Sequence, residues 1–559
     1  MLINRGIGIC HIDHYLHTTE KDLYDPSIID RIDDGVKMLI KHIGAGDDIF
    51  IQVDSDCDGF TSAALLINYL NCAFPAYVQN HVQWRLHDGK EHGLIPDTIP
   101  EGVKMVIAPD SSSNDYDEHE YLKNNRGIDI LVIDHHEADK ISEYACIVNN
   151  QLCDYPNKTL SGVGMVYKFC GRIDFFLNTS FAEDYRDLVA LGMIADMMDM
   201  RDFETRHLIT TGLEYIRNPF FKMMVDKQQF SLKGENTPIG IAFYIAPYVN
   251  ATIRMGDQNE KEILFESMLD FKAYHQIPST KRGCKGTMET IVEQACRNCT
   301  NIKNRQTRAR DDALEKIESI IKKYNLLDNK VLAIKLKPEE AVSKNLTGLI
   351  ANQLMAKYQR PVLLLNQCGS TWEGSGRNYD KSKFDNFREF LNESNLVLYA
   401  EGHANALGVG IADEYFNVFI DYANKKLAEY DFTPCYKVDF IFRGSDFNAN
   451  DIIEIAELKP IWGQGISEPY VALENIKVNE SNITLMSADK NPTIKITLPN
   501  GTSLIKFKAT KEDYETLKTS GIITLNVVGR CERNIWNGNV SAQILIEDYE
   551  ITGRTGYYF

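Results

Sequence analysis

The chain has 559 residues, 44% of them hydrophobic and 25% charged, with a formal net charge of −19; that is enough for three or four ordinary globular domains, each with its own core. The acidic balance opposes indiscriminate long-range binding of nucleic acid, although it leaves room for a local basic channel. No apolar run reaches the length of a membrane span, the first residues lack a signal-peptide core, and twelve cysteines without a repeating spacing suit a reducing, cytoplasmic setting with no membrane partner.

In chain order, residues 1–48 read as a lead-in with helical spacing, since Ile28, Ile29, Ile32, Val36, Leu39 and Ile40 recur at steps of three and four after Pro26. The apolar run Ile49–Val53 predicts a buried strand, followed by Asp54, Asp56 and Asp58 at alternate positions, then Gly59 and a helix opening at Thr61-Ser62. Three carboxylates within five residues repel one another, so a hard divalent cation is the natural partner. A calcium-binding EF-hand loop does not fit, because its twelfth position falls on Leu65 and a strand precedes it. A charged loop follows, with Arg85 and Lys90. The apolar stretch 103–108 then predicts a second strand, ending in Pro109-Asp110-Ser111-Ser112-Ser113. A third, 128–133, runs straight into Asp134-His135-His136, and helical stretches such as 118–124 lie between the strands. That alternation predicts a mostly parallel sheet with crossover helices. A fourth acidic element is Asp196, reached by an apolar run from Leu188. Carboxylates and an imidazole gathered at strand ends suffice for two metal ions about 3.5–4 Å apart, which clamp the attacking and leaving oxygens of a phosphoryl transfer.

Farther on, 287–324 has long helical spacing and carries Arg297, Lys303, Arg305, Arg308 and Arg310, with Lys281, Arg282 and Lys285 just before it. It is the most positive region of the chain. The pair Cys296-x-x-Cys299 has no second pair nearby and reads as helical cysteine rather than a zinc site. A new α/β unit begins at Val331. It contains Glu373-Gly374-Ser375-Gly376-Arg377 and Glu401-Gly402-His403-Ala404-Asn405-Ala406-Leu407-Gly408, whose Ser375, Arg377 and His403 offer donors to a phosphate. From about residue 433 the pattern becomes β-rich, with Pro499-Asn500-Gly501 as a hairpin signal. Phe507, Lys508, Arg530 and Trp536 are available there to stack on and steer a single strand.

The ordered set Asp54-x-Asp56-x-Asp58-Gly59, Asp110, Asp134-His135-His136 and Asp196 resembles the four motifs of the DHH phosphoesterase superfamily, and within it the RecJ group of single-strand-specific DNA exonucleases. Ser161-Gly162-Val163-Gly164-Met165-Val166-Tyr167-Lys168 is similar to the family's glycine-rich helix start. The segment from Ile245 to Gly256, with Asn250 and Arg254, resembles the one that closes the first domain over substrate. Residues 373–377 and 401–408 resemble the two signatures of the DHH-associated domain, with departures at Glu401 and Leu407. The second motif also departs from a commoner Asp-Asn/Cys-Gly form. Serines follow Asp110, and serine lacks the freedom of glycine at positive φ.

The resemblance implies an α/β fold: a DHH domain over 1–260, a connecting region over 261–326 with the long basic helix, a DHH-associated α/β domain over 327–432, and an OB-type β-barrel over 433–559. It implies Mn2+ or Mg2+, two ions, held by Asp56, Asp58, Asp110, His135 and Asp196, with Asp54 a ligand or close neighbour of them. Asp134 and His136 fall at catalytic positions, His136 against the scissile phosphate. Asn250, Arg254, Ser375, Arg377, His403, Arg85 and Lys90 fall at substrate-binding ones. The implied activity is 5′→3′ hydrolysis of single-stranded DNA to 5′-mononucleotides by a cytoplasmic monomer acting in repair or recombination, partnered by a single-strand-binding protein or helicase. The basic helix would floor the DNA channel. Two alternatives stand beside it: a DHH phosphodiesterase of short oligonucleotides or cyclic dinucleotides, and a non-catalytic nucleic-acid-binding scaffold. The barrel and the basic helix weigh against the first, the intact Asp and His positions against the second.

Overall fold

The computed structural model describes residues 1–88, 91–284, 286–444, 447–487, 492–518, 521–536 and 538–555. Lys90, Lys285 and the Trp536 side chain lie outside what it describes. The chain divides into two compact units, Met1–Thr300 together with Val438–Phe559, and Asn301–Lys437.

The first unit is built on a five-stranded sheet of β1 (Ile49–Val53), β2 (Val82–Leu86), β3 (Met105–Pro109), β4 (Asp129–Asp134) and β5 (Cys146–Asn149), in the order β2-β1-β3-β4-β5 with every pair parallel. β1 and β3 are buried at every position, which is why they read as unbroken apolar runs: helices cover both faces of a parallel sheet. Asp54, Asp110 and Asp134 thus stand at the carboxyl ends of three adjacent strands, the usual ligand edge of such a sheet. The helix after β1 begins at Cys57 and runs to Ala73, earlier than the Thr61 start read from the sequence. Asp56 is its N-cap, with a side chain accepting from the Gly59 amide at 2.9 Å. Asp58 and Gly59 therefore belong to the first helical turn. Capping by an acidic residue satisfies amides that the turn would leave open.

Two further helices pack beside it, Gly162–Leu177 and Arg186–Ala195. The segment leading into the first is fixed by the wholly buried Glu204 carboxylate. It accepts from the Tyr155 hydroxyl at 2.8 Å, the Asn157 amide at 3.1 Å and the Tyr24 amide at 2.9 Å, and pairs with the buried Lys168 ammonium.

Before the long helix, β6 (Gln276–Pro278) and β7 (Met288–Thr290) form a hairpin that the sequence reading missed. Thr290 and Glu293 cap each other's amides, so the helix starts at Ile291 and runs to Lys323. Cys296 and Cys299 are buried on it. Three of its cations have local partners: Arg297 pairs with Glu289, Lys303 donates to Gln306 at 2.8 Å, and Arg310 pairs with Asp311 at 2.6 Å.

The second unit holds a mixed sheet of β8 (Leu332–Leu336), β9 (Val362–Cys368), β10 (Thr371–Arg377), β11 (Tyr399–His403) and β12 (Ala406–Ala412), ordered β11-β12-β10-β9-β8. The Gly-Ser-Gly run lies inside β10. A Cβ at Gly374 would meet the Leu364 carbonyl oxygen at 1.9 Å, so this glycine serves close strand packing.

The C-terminal part of the first unit is a seven-stranded mixed sheet, as expected of an OB-type domain. Its strands are β13 (Val438–Arg443), β14 (Tyr470–Asn479), β15 (Ile483–Met486), β16 (Thr493–Thr497), β17 (Ser503–Lys506), β18 (Ile522–Trp536) and β19 (Asn539–Thr555), ordered β13-β14-β18-β19-β17-β16-β15. The Pro499-Asn500-Gly501 turn joins the antiparallel β16 and β17 as read. β18 and β19 are far longer than the short strands read from the sequence, and helices Ala449–Glu457 and Lys511–Leu517 intervene. Arg5 binds Asp439 through two bonds of 2.7 and 2.9 Å, tying this sheet to the start of the chain. No helix among the described residues is long and apolar enough to cross a membrane.

Candidate metal centre

Three overlapping groups of side chains converge at the carboxyl edge of the parallel sheet: Asp54, Asp56 and Asp110; Asp58, His135 and Asp196; and Asp110, Asp134, His135 and His136. Within each group the ligating atoms lie inside 4.8 Å of one another. All the motif residues of the first unit meet there.

Each is aimed by backbone or by a neighbour. Asp58, in the first turn of its helix, accepts from the Ser161 hydroxyl at 2.8 Å, the Gly162 amide at 2.7 Å and the Val163 amide at 3.3 Å, so the start of a second helix fixes its carboxylate. Gly162 is required by that approach, since a Cβ there would lie 2.2 Å from Asp110 Oδ1. Asp110 has φ 67° and Ser112 φ 80°, so the strand-end turn uses the left-handed region with serine where glycine fits more easily. His135 Nε2 lies 3.3 Å from Asp110 Oδ1, 3.5 Å from Asp196 Oδ2 and 4.0 Å from Asp58 Oδ2. Asp134 accepts from the amides of His135 at 2.7 Å and Ser113 at 3.1 Å and from His136 Nδ1 at 2.8 Å. The half-exposed His136 ring is thereby held with Nε2 directed away from the carboxylate. Asp196 caps the C-terminus of the helix Arg186–Ala195 and is one-third exposed.

The electrostatics divide the carboxylates into two kinds. Burial and the charge of Asp58 push Asp56 up to about 6 and Asp196 up to about 8, and the same causes raise Asp110 well above the carboxylate range. Burial also raises Asp54, but His87 and His92 outweigh it and hold the group down to about 2. For Asp134, burial is likewise outweighed, chiefly by His136, and its pKa is depressed. The bond to Asp134 lifts His136 to about 9. Burial lowers His135, which keeps its nitrogen available as a neutral ligand.

Divalent cations fit this donor set. Asp110 Oδ1 and Asp54 Oδ1 are buried without a hydrogen bond, although His92 Nδ1 stands 2.7 Å from the latter. Carboxylate oxygens with one neutral imidazole suit Mn2+ or Mg2+, and positive charge would relieve the repulsion that raises Asp56, Asp110 and Asp196.

The remaining residues read from the sequence sort as follows. Asn250 and Arg254 sit one turn apart on the helix Ala246–Met255. Arg254 is exposed, and its charge lowers Asp56, while Asn250 Oδ1 is buried without a hydrogen bond. Arg85 Nη2 is engaged by Glu91 at 2.7 Å, and Lys90 is outside the described residues. In the second unit, Arg377 on β10 pairs in register with Ala406 on β12, which pairs with His403 on β11, so the arginine and histidine share one row across the sheet. His403 is exposed, and the Ser375 hydroxyl lies 2.9 Å from that of Thr347. Missed by the sequence reading were His87 and His92, which flank Asp54 from the charged loop, and Asn149, whose amide binds both Ser113 Oγ and the His136 carbonyl at 2.9 Å. The two histidines follow β2 in the charged segment that the sequence reading took, with Arg85, for one loop; Arg85 itself lies on β2, and that charge was the available signal.

The family model for the N-terminal domain of the DHH family matches residues 48–193, and that for the RecJ OB domain matches 438–548. A putative SPβ prophage-derived single-strand DNA-specific exonuclease of Bacillus subtilis strain 168, YorK, is 36% identical over 99% of this chain and 95% of its own length. The single-stranded-DNA-specific exonuclease RecJ of the same strain is 23% identical over 99% of this chain and 67% of its own. Among solved structures, RecJ of Thermus thermophilus in complex with Mn2+ superposes with a TM-score of 0.71 at 17% identity, over 100% of this chain and 79% of that one.

Proposed function

Because the chain belongs to the DHH family, as a RecJ-like exonuclease, we propose that it is a hydrolase degrading single-stranded DNA from the 5′ end to 5′-mononucleotides, with two divalent ions, Mn2+ or Mg2+, at the site just described. The observation that carries this reading is the convergence of Asp56, Asp58, Asp110, His135 and Asp196 at one sheet edge, with the buried Asp110 Oδ1 left without a hydrogen bond. We assign these five, with Asp54 beside them, as the metal ligands. Bound there, the ions would supply charge to polarise the phosphate and acidify a water.

The chain's own residues do the rest. His136 presents Nε2 to the scissile phosphate, charged and ready to donate because Asp134 holds Nδ1. Asp134 is a positioning residue, acting through that ring. Arg254, exposed and acting on the charge of Asp56, and Asn250 orient the strand. Ser375, Arg377 and His403 recognise the phosphates at the 5′ end, and Arg85 and Lys90 are further contacts. The segments 1–260, 261–326, 327–432 and 433–559 act respectively as metal-binding, connecting, end-recognising and strand-holding parts. The OB-type sheet favours a long strand as substrate, since a dinucleotide needs no such surface.

The test is metal-dependent degradation of end-labelled strands carrying 5′ or 3′ blocks, beside duplex and dinucleotide controls. A 5′ block should stop the reaction and a 3′ block should not. Asp110→Ala should abolish hydrolysis while the fold persists. Retained metal-dependent activity in that variant, or preferred cleavage of the dinucleotide, would defeat the reading.

A further inference from the structure

Asp196 differs from the strand-end aspartates in standing past the end of a helix, where the chain must reverse at once. Its amide donates to the Gly192 carbonyl at 2.9 Å, and the next residue, Met197, has φ 59°. L side chains disfavour that region, so the surroundings must hold the reversal in place. On the near side the helix does so, through Met197 N to Ile194 O at 3.2 Å and Met198 N to Met193 O at 3.0 Å. On the far side the support comes from the other end of the chain. The Met200 amide donates to the Gln464 carbonyl at 2.9 Å, and the Met200 carbonyl accepts from the Tyr15 hydroxyl at 3.1 Å.

Gln464 lies in a tight turn closed by Gly463 N to Ile466 O at 3.0 Å and Ile466 N to Gly463 O at 3.2 Å. Both glycines of this turn press on the loop after Asp196. A Cβ at Gly465, which has φ 74°, would lie 1.9 Å from Asp199 Oδ1, and one at Gly463 would lie 2.2 Å from Met200 Sδ. The turn is itself braced from behind. Trp462 is 1% exposed with the Arg5 guanidinium 5.2 Å over its ring, and the Ile461 carbonyl accepts from the buried Arg206 at 3.4 Å. It lies outside the seven-stranded sheet.

We propose that the turn 463–466 positions the metal centre: Gly463 and Gly465, through Asp199 and Met200, fix the reversal at Met197 and so the aim of the Asp196 carboxylate. The inference rests on the reading of Asp196 as a metal ligand and adds a positioning element drawn from the OB-type domain, between β13 and β14.

The experiment measures Mn2+ affinity of the full chain by calorimetry and by the electron paramagnetic signal of free ion, with metal-free unfolding as a check on the fold. Gly465→Ala and Gly463→Ala are compared with Asp196→Asn and with Gly501→Ala. Gly501 has φ 85° and nothing within 4 Å, so its variant carries the same backbone penalty without the contact. The two turn variants should weaken Mn2+ binding about tenfold, as loss of support behind a ligand does, and Gly501→Ala should leave it unchanged. Parental affinity in both turn variants, with weakened binding in Asp196→Asn, would overturn the proposal alone. So would an equal loss in Gly501→Ala. Parental affinity in Asp196→Asn would remove the metal assignment beneath it as well. Should Gly465→Ala fail to fold, Gly463→Ala decides, because Gly463 is not at positive φ.

Discussion

The Gly162 amide donates to the Asp58 carboxylate over 2.7 Å, joining the first turns of two helices across the metal centre. Any side chain at 162 must therefore displace Asp110, whose Oδ1 would stand 2.2 Å from the new Cβ. Gly162→Ala should keep its secondary structure yet lose at least about tenfold in metal affinity, measured by calorimetry beside circular dichroism, with hydrolysis falling further.

Acidity should oppose metal binding more steeply than ordinary carboxylates allow. Burial and the charge of Asp58 raise Asp56 to about 6 and Asp196 to about 8, and raise Asp110 above its usual range, so in the metal-free protein Asp196 holds most of its proton at neutral pH and Asp56 gains one as pH falls to 6. Cations must displace these protons, and calorimetry in buffers of different ionisation heat should detect proton release that grows as pH falls from about 8 to 6.

The same shifts set the sign of metal-free stability. Carboxyls raised above their unfolded value of about 4 favour the folded state below that value, and the contribution is lost as pH rises through 6 and 8. His136, lifted to about 9, adds a loss of the same sign above its unfolded value. Asp54 and Asp134 are depressed and ionised in both states across this window, so they add no slope. Burial depresses His135, which opposes the trend only below about 6.5. Metal-free protein should therefore melt lower at pH 8 than at pH 5.5, and Mn2+ should reverse that order.

Removing Lys168 leaves the Glu204 carboxylate buried with no cation. Lys168→Met should cost about 3–5 kcal/mol in urea unfolding. Specific activity of the molecules that remain folded should stay near parental, because neither residue touches the metal centre.

Ser112 sits at φ 80°. Ser112→Gly should relieve this strain and stabilise the protein by about 1 kcal/mol, read from the same unfolding curves, with metal affinity retained.

The acidic strand ends were legible because strands buried on both faces write themselves as apolar runs, and each run stops at an acidic residue. Asp54, Asp110 and Asp134 were thus found from pattern alone. The start of the helix at Cys57 was missed because Asp56 serves both as cap and as candidate ligand, and the sequence shows only its charge. His87 and His92 were missed because pairing with Asp54 depends on how a charged loop folds back. Gly374 lies in the run whose Ser375 and Arg377 were read as phosphate donors, yet it packs against a neighbouring carbonyl, which composition cannot distinguish. The turn at 463–466 was invisible for a different reason: its partner, the loop after Asp196, is remote in sequence, and no local pattern records a long-range contact.

The first unit is assembled from two pieces of chain separated by the whole of the second. During synthesis the ribosome must deliver the acidic strand ends, then all of residues 301–437, before the Gln464 carbonyl that meets Met200 exists. A nascent polypeptide therefore carries its aspartates for many seconds, at about 5–20 residues per second, without the last brace behind Asp196. On this account the nuclease matures only after the second unit has been translated, and a ribosome stalled in the second unit displays an unfinished enzyme.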